Sequence, residues 1–439
     1  MRRFLYFSFL FLSFLVPDIS WAEGITLEGL HDQFQALNET VKILQSTVKQ
    51  QADFIEKQNL RISTLEKGSG TRGTVPQNAV NPERAPQAVG LSQGFNPDIG
   101  VVGTVQAKLT KSSEDTEGQD TIALKEVELN FAQYVDPFSR FDAVISFNDQ
   151  LESQNASIEE AYYTHWGLPL GFRGQIGKFR SKIGKQNLLH LDQLKTVDYP
   201  LVIRDFFGEE GLSSSGVRLQ NNIPNPWDLP LEITGEVLRG NNGASFSGVS
   251  RRPIFSTHLK SFFEISKDSN FELGTTAMFG DENPPRMTGF DNTGEPTFIR
   301  DPKGQDRYGV KIFGLDATYV WNLSQSRTLL FQNEAYLQDR TSLVTVNQNP
   351  WGFYSLLDYR FSRLFSAGLR FDYLEPRAVR VFHETSYTIS PYLTLWQSEF
   401  ANFRVQYSHV ESADPRAKTD DAVYLQANFL IGSHRHPVQ

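Results

Sequence analysis

The chain has no cysteine among its 439 residues and only 3 methionines. Without thiols, neither a disulfide framework nor a cysteine-held metal centre is available. Beyond residue 16 no apolar run approaches the ~20 residues that a spanning helix needs, and mean hydropathy is -0.37. A helical membrane protein is thereby excluded. A β-barrel escapes that test, because half of each spanning strand faces water. Basic residues are also in deficit, with 42 Lys and Arg against 51 Asp and Glu. The net charge of -9 argues against a nucleic-acid partner. No glycine-rich phosphate loop or zinc-hydrolase helix motif occurs. His434 and His436 form the one close histidine pair, read as an inert tail for want of a third ligand. A barrel hydrolase would need a Ser-His-carboxylate set built on His258 or His409. We expect no enzyme and no cofactor.

What the chain does have is phenylalanine, 34 residues of it, which suits strands and lipid-facing surfaces. It also has a repeated alternation. In Val423-Tyr424-Leu425-Gln426-Ala427-Asn428-Phe429-Leu430-Ile431, Val423, Leu425, Phe429 and Ile431 share one face. Similar stripes are Val127, Leu129 and Phe131, opposite Glu126 and Glu128, and Phe365, Ala367, Leu369 and Phe371, opposite Arg370 and Asp372. About sixteen such strands follow residue 98, the even count of bacterial barrels. The gaps alternate in length. Short connectors at 136–137, 167–169, 266–268, 322–324, 362–363 and 398–399 interleave with longer ones. The longer ones are near 111–120, 149–156, 180–213, 240–252, 280–306, 340–350, 375–384 and 411–421. Short turns on one side and long loops on the other are what an outer-membrane barrel requires, and a soluble sandwich has no reason to sort loops by parity.

The N-terminal part is different. Residues 1–22 read as a signal peptide, with Arg2 and Arg3, an apolar Phe4 to Val16 core and a Ser20-Trp21-Ala22 cleavage site. Residues 23–67 read as a periplasmic coiled coil. Leu27, Phe34, Val41, Val48, Ile55 and Ile62 hold one heptad core position, and Leu30, Leu37, Leu44, Gln51, Gln58 and Leu65 the other. The coil implies self-association. β-branched first positions with Leu second favour a dimer, while the Gln layers and the barrel leave the order open. Residues 68–97, rich in Gly, Pro, Asn and Gln, read as a flexible linker before a barrel at 98–439. The expected fold is therefore all-β, a transmembrane antiparallel β-barrel with an N-terminal α-helical coiled coil.

Several segments resemble the phosphate-selective porin O and P group and, more broadly, porin-like outer-membrane proteins of Gram-negative bacteria. They are Phe95-Asn96-Pro97-Asp98-Ile99-Gly100, Leu124-Lys125-Glu126-Val127-Glu128-Leu129, and Ile158-Glu159-Glu160-Ala161-Tyr162 through to Gly177-Lys178-Phe179. Arg204-Asp205-Phe206-Phe207-Gly208 and Ile431-Gly432-Ser433-His434 complete the set. The resemblance implies a sixteen-stranded trimeric barrel with a long third loop folded inward. The expected function is an outer-membrane porin passing small hydrophilic solutes by diffusion, with lipid and its own copies as partners and the periplasmic coil contacting peptidoglycan. A continuous lysine ladder is lacking, so phosphate selectivity does not carry over. The chain also departs from the group by running past its last strand to Gln439.

The third long gap, 180–213, is where a constriction is expected. Its cations are Lys182, Lys185, His190, Lys195 and Arg204, with Lys178 and Arg180 just before. Rings of Lys or Arg favour anions, hence an expected anion preference. The expected lumen wall carries Arg218, Lys260, Arg360, Arg370 and Arg404, offset by Glu126 and Glu128. The rival reading is a structural or adhesive barrel with a closed pore.

Overall fold

The computed structural model describes residues 97–112, 120–150, 153–240, 242–249, 251–283, 286–290, 296–299, 307–341, 349–377, 385–412 and 420–432. The expected signal peptide, coiled coil and linker up to residue 96, and the tail 433–439 with His434 and His436, lie outside the described residues.

The strands are β1 (Asp98–Ser112), β2 (Thr121–Asp136), β3 (Ser139–Gln150), β4 (Ser153–His165), β5 (Arg173–Arg180), β6 (Ser213–Asn222), β7 (Leu231–Leu238), β8 (Ile254–Ser266) and β9 (Ser269–Glu282). They continue with β10 (Arg286–Phe290), β11 (Pro296–Ile299), β12 (Tyr308–Ser324), β13 (Arg327–Arg340), β14 (Trp351–Arg360), β15 (Phe365–Glu375), β16 (Ser386–Trp396), β17 (Ala401–Ser412) and β18 (Asp420–Gly432). All but β10 and β11 form one closed barrel of sixteen strands, each antiparallel to its neighbours. β10 and β11 make a separate hairpin within the gap read from sequence as a plain loop at 280–306. Another gap shortens: β3 and β4 are separated by residues 151–152 alone, where 149–156 was expected.

Closure comes from β18 pairing with β1, with Val101 opposite Ile431, Val105 opposite Ala427 and Leu109 opposite Val423. The alternation sorts the two faces in an inverted sense. On β18 Leu425 is 47% exposed, whereas Gln426 one residue on is 3% exposed. Apolar side chains line the outside and polar ones the inside, the reverse of a soluble fold. Among the described residues no helix is long and apolar enough to cross a membrane.

Two bulges, on the strands β2 and β4 that flank β3, adjust this pattern. Thr104 faces Glu126 while Val105 faces Leu124, so Lys125 is the extra residue of β2. Val144 faces Glu160 while Ile145 faces Ile158, so Glu159 is the extra residue of β4. A bulge re-aims side chains locally. Here it lets Ile158 stay outside while Glu159 is buried.

The interior is not polar throughout, as the alternation alone implied. Met278, Val310, Ile312, Tyr336, Tyr354, Leu356, Leu374 and Tyr392 belong to one buried apolar cluster with Ile203, Phe206 and Phe207 of the β5–β6 connection. That connection includes the short helix α1 (Leu201–Phe207), which starts after Pro200 and stops at Gly208. Gly208 adopts φ 115, a conformation open to glycine, and its N–H bonds to the Arg204 carbonyl. Phe207 meets Tyr336 edge to face at 5.1 Å.

An arginine on the outward row measures the apolar band. Leu425→Arg, in mid-strand, is expected to cost about 2–4 kcal/mol of folding stability in lipid vesicles, and Ile431→Arg, near the strand end, about 0–1 kcal/mol. Denaturant titration in vesicles checks this, and equal costs at both positions would contradict a membrane-facing band.

Candidate functional site: a segment folded across the barrel

The 32 residues between Arg180 and Ser213 do not project from the barrel. They are largely buried, and their backbone is tied to side chains of the inward row around the ring. On β7, Glu236 accepts from the Lys182 N–H at 2.9 Å and from the Ser181 hydroxyl. On β13, Glu334 accepts from the N–H groups of Lys185 and Gln186 at 3.0 and 2.8 Å. On β15, Asp372 accepts from the Leu201 N–H at 3.1 Å. On β17, Gln406 accepts from the Val197 N–H at 3.0 Å, and Arg404 donates to the Thr196 carbonyl at 3.0 Å. Each anchor supplies an acceptor or donor that an irregular buried backbone otherwise lacks. Gly184, at φ 58, completes the fit, since a Cβ there would collide with the Glu334 carboxylate and the Tyr336 hydroxyl.

Arg370 is the most fully engaged cation. Its Nε donates to Asp372 at 2.7 Å, and its Nη2 to Asp198 at 2.9 Å. Its Nη1 donates to the Asp198 carbonyl at 2.6 Å and to the Thr196 hydroxyl. It thus ties the wall to the segment at a point 1% exposed. Arg218 is similarly held, by Glu236 at 2.6 Å and Gln175 at 2.6 Å, with its guanidinium 4.3 Å from the Phe179 ring centroid.

The other sequence-predicted cations are arranged less uniformly. Lys182 pairs with Glu232, and Lys185 lies 3.1 Å from Glu272, which Lys260 also approaches at 3.6 Å. Arg180 pairs with Glu159 at 2.9 Å. Arg204 lies 3.7 Å from Asp198 and 3.8 Å from Glu209. Lys195 and Arg360 flank the Trp396 ring at 5.8 and 5.1 Å. Trp396 follows buried Tyr392 and Thr394 on the inward row. Lys178 departs most: it pairs with Ala161 and Ser215 beside exposed Ile176 on the outward row, and its ammonium donates to the Ile158 carbonyl at 2.5 Å. Alternation along β5 puts it outside the lumen.

Carboxylates outnumber guanidinium groups among the buried ionisable side chains. Glu126, Glu128, Glu159, Glu236, Glu272, Glu282, Asp316, Glu334, Asp358 and Asp372 are buried, against Arg180, Arg218, Arg340, Arg370 and Arg404. His190 enters the densest acidic corner, 3.2 Å from Glu128, 3.1 Å from Glu159 and 3.3 Å from Glu160. Burial disfavours its imidazolium, but the surrounding carboxylates, Glu128 foremost, outweigh that and hold its pKa well above the ordinary value. Glu334, Glu159 and Glu160 were not among the expected site residues. The run Gln332-x-Glu334-x-Tyr336-x-Gln338-x-Arg340 carried the signal for the first, because five polar or hydroxyl-bearing side chains share one face of β13.

Of the two histidines relevant to hydrolysis, His258 bonds Asp316 at 3.0 Å. The Ser256 hydroxyl, on the same inward row, has no hydrogen-bond partner among the described residues. Among the described residues Ser256 therefore makes no hydrogen bond to His258. His409 bonds Asp421 at 2.8 Å in a part-exposed position.

No family model matches the chain. A protein of Aquifex aeolicus (strain VF5), described only as uncharacterised, is 28% identical over 341 residues, covering 70% of this chain and 69% of the relative. Among solved structures, the outer membrane channel DcaP of Acinetobacter baumannii superposes with TM-score 0.49 at 10% identity, over 77% of this chain and 98% of that one. An anion-selective porin from Comamonas acidovorans gives 0.49 at 8% identity, over 76% and 100%. The trimer form of OmpT from Vibrio cholerae gives 0.49 at 9%, over 76% and 99%. At these scores and identities the likeness carries no argument about selectivity or substrate.

Removing the central guanidinium tests the anchoring. Arg370→Met leaves buried Asp372 without its guanidinium and Asp198 with Arg204 alone, and is expected to cost about 3–5 kcal/mol. The loss falls on the segment, so trypsin should cleave at Lys182 and Lys185 in the folded variant faster than in the wild type. Pairing it with Asp372→Leu should recover part of the protection. Unchanged cleavage in Arg370→Met would show that this cation does not hold the segment.

Proposed function

We propose that the protein is a porin of the Gram-negative outer membrane, a passive diffusion channel for small hydrophilic solutes whose passage is limited by residues 181–212. The observation that carries this reading is the inverted barrel: an apolar outer row and a charged inner row around a closed ring. Such a surface suits lipid outside and a hydrated lumen inside. The inward position of the long segment puts the narrowest point where the inner row meets it.

Anion preference loses its main support, because Lys182 and Lys185 are paired with wall carboxylates and Lys178 is outside the lumen. The excess of buried carboxylates favours cations at the constriction. The closed-pore reading has its own support, since the segment is anchored on β7, β13, β15 and β17 and packs an apolar core against the wall. Self-association through the heptad at 27–65, a trimeric assembly and contact with peptidoglycan complete the proposal from sequence.

Planar-bilayer recording separates the two readings. The channel reading expects discrete conductance steps from the full-length protein, with a cation-selective reversal potential under a salt gradient. Steps that emerge only when the segment is loosened by Arg370→Met support the closed pore. Silence from both folded proteins would sink the channel reading.

A further inference from the structure

Where the segment meets β2 and β4, one ring nitrogen and two carboxylate oxygens converge. His190 Nδ1 lies 3.2 Å from Glu128 Oε1 and 3.1 Å from Glu159 Oε2. All three side chains are buried, and their ligand atoms lie within 4.8 Å of one another. Atoms held at about 2.0–2.2 Å by one tetrahedral ion are separated by about 3.3–3.6 Å, close to the two distances from His190 Nδ1.

The decisive observation is Glu128. It is 1% exposed, and neither of its oxygens has a hydrogen-bond partner among the described residues; nor does His190 Nδ1. A buried carboxylate without donors is strongly unfavourable. Glu159 Oε2 already accepts from Arg180 Nη2 at 2.9 Å, so the atoms that a cation between the three would newly serve are Glu128 Oε1 and His190 Nδ1. The far side of the ring agrees, because His190 Nε2 meets Glu160 Oε2 at 3.3 Å. A carboxylate on the second nitrogen fixes the tautomer that leaves the first free to bind, as in metal-bound imidazoles generally. The bulges at Lys125 and Glu159 bring the acidic residues to this corner.

We propose that Glu128, Glu159 and His190 bind one divalent transition cation of the zinc class, the ion replacing the Nδ1 proton, which leaves to solvent, with Glu160 orienting the imidazole. The mixed imidazole and carboxylate set suits such an ion better than magnesium or calcium, which prefer oxygen alone. The ion would pin the 181–212 segment to β2 and β4. This inference goes beyond the channel reading and does not depend on it.

The test uses the full-length protein folded in detergent and stripped with a chelator, carrying His434→Ala and His436→Ala to remove the competing tail pair. Zinc titration by calorimetry is expected to give one ion per chain, with magnesium failing to compete. Affinity should fall about 10- to 100-fold in Glu128→Gln and in His190→Gln. Zinc should also slow trypsin cleavage at Lys182 and Lys185. Unchanged affinity in both folded variants, absence of binding, or equal competition by magnesium would overturn the site and leave a plain imidazolium ion pair. If either variant does not fold, zinc protection of His190 from diethylpyrocarbonate, read by mass spectrometry on the unsubstituted segment, decides the question. Modification of His190 at the same rate with and without zinc would refute it.

Discussion

Closure of the sheet is the constraint from which the rest follows. A β-sheet has unpaired N–H and C=O groups along its edges, and those groups cannot be left in hydrocarbon. The pairing of β18 with β1 removes both edges at once. Once the ring is closed, every strand has one face turned out and one turned in, and side chains must sort by alternation. The outward row can then be apolar over its whole circumference. The inward row is released from that requirement, and polar, charged and apolar groups all occur there.

That freedom is used to build a second structure inside the first. The 181–212 segment has little regular hydrogen bonding of its own, so the wall supplies its partners: Glu236, Glu334, Asp372, Gln406 and Arg404. Hydrogen bonds of this kind position the chain, and α1 adds apolar burial through Ile203, Phe206 and Phe207. Each fully buried side chain of that size contributes about 1.5–3 kcal/mol. The segment is therefore held by packing on one side and by charge-assisted bonds on the others. Arg370 joins the wall and the segment in one guanidinium, whose planar fork suits several acceptors at once.

Much of the barrel was legible because period-two patterning and loop parity are local properties of the chain. Val423 to Ile431, or Glu126 and Glu128 opposite Val127 and Leu129, could be sorted without knowing any partner strand. The interior was less legible. Val310 and Ile312 lie on the inward row of β12 ahead of Asp316 and Thr318, so that row changes from apolar to polar along its length. Alternation alone does not say which end of a strand an internal segment will cover. Lys178 shows the opposite limit. Its place in the basic run before the segment suggested a lumen residue, while its register with Ala161 and Ser215 turns it outward.

The amino-acid sequence by itself determined the strands, their facing and the sorting of loops by length, because each depends on neighbours within a few residues. It also marked residues 180–213 as the long segment of interest. Which carboxylate meets which cation was decided only in three dimensions. Glu334 lies 148 residues from the Gln186 N–H it accepts, and Arg370 lies 172 from Asp198. Such pairs depend on ring closure and strand register, and on two bulges that each shift one strand by a single residue. Those same shifts bring Glu128, Glu159 and His190 together, three residues that nothing in their spacing along the chain would have joined.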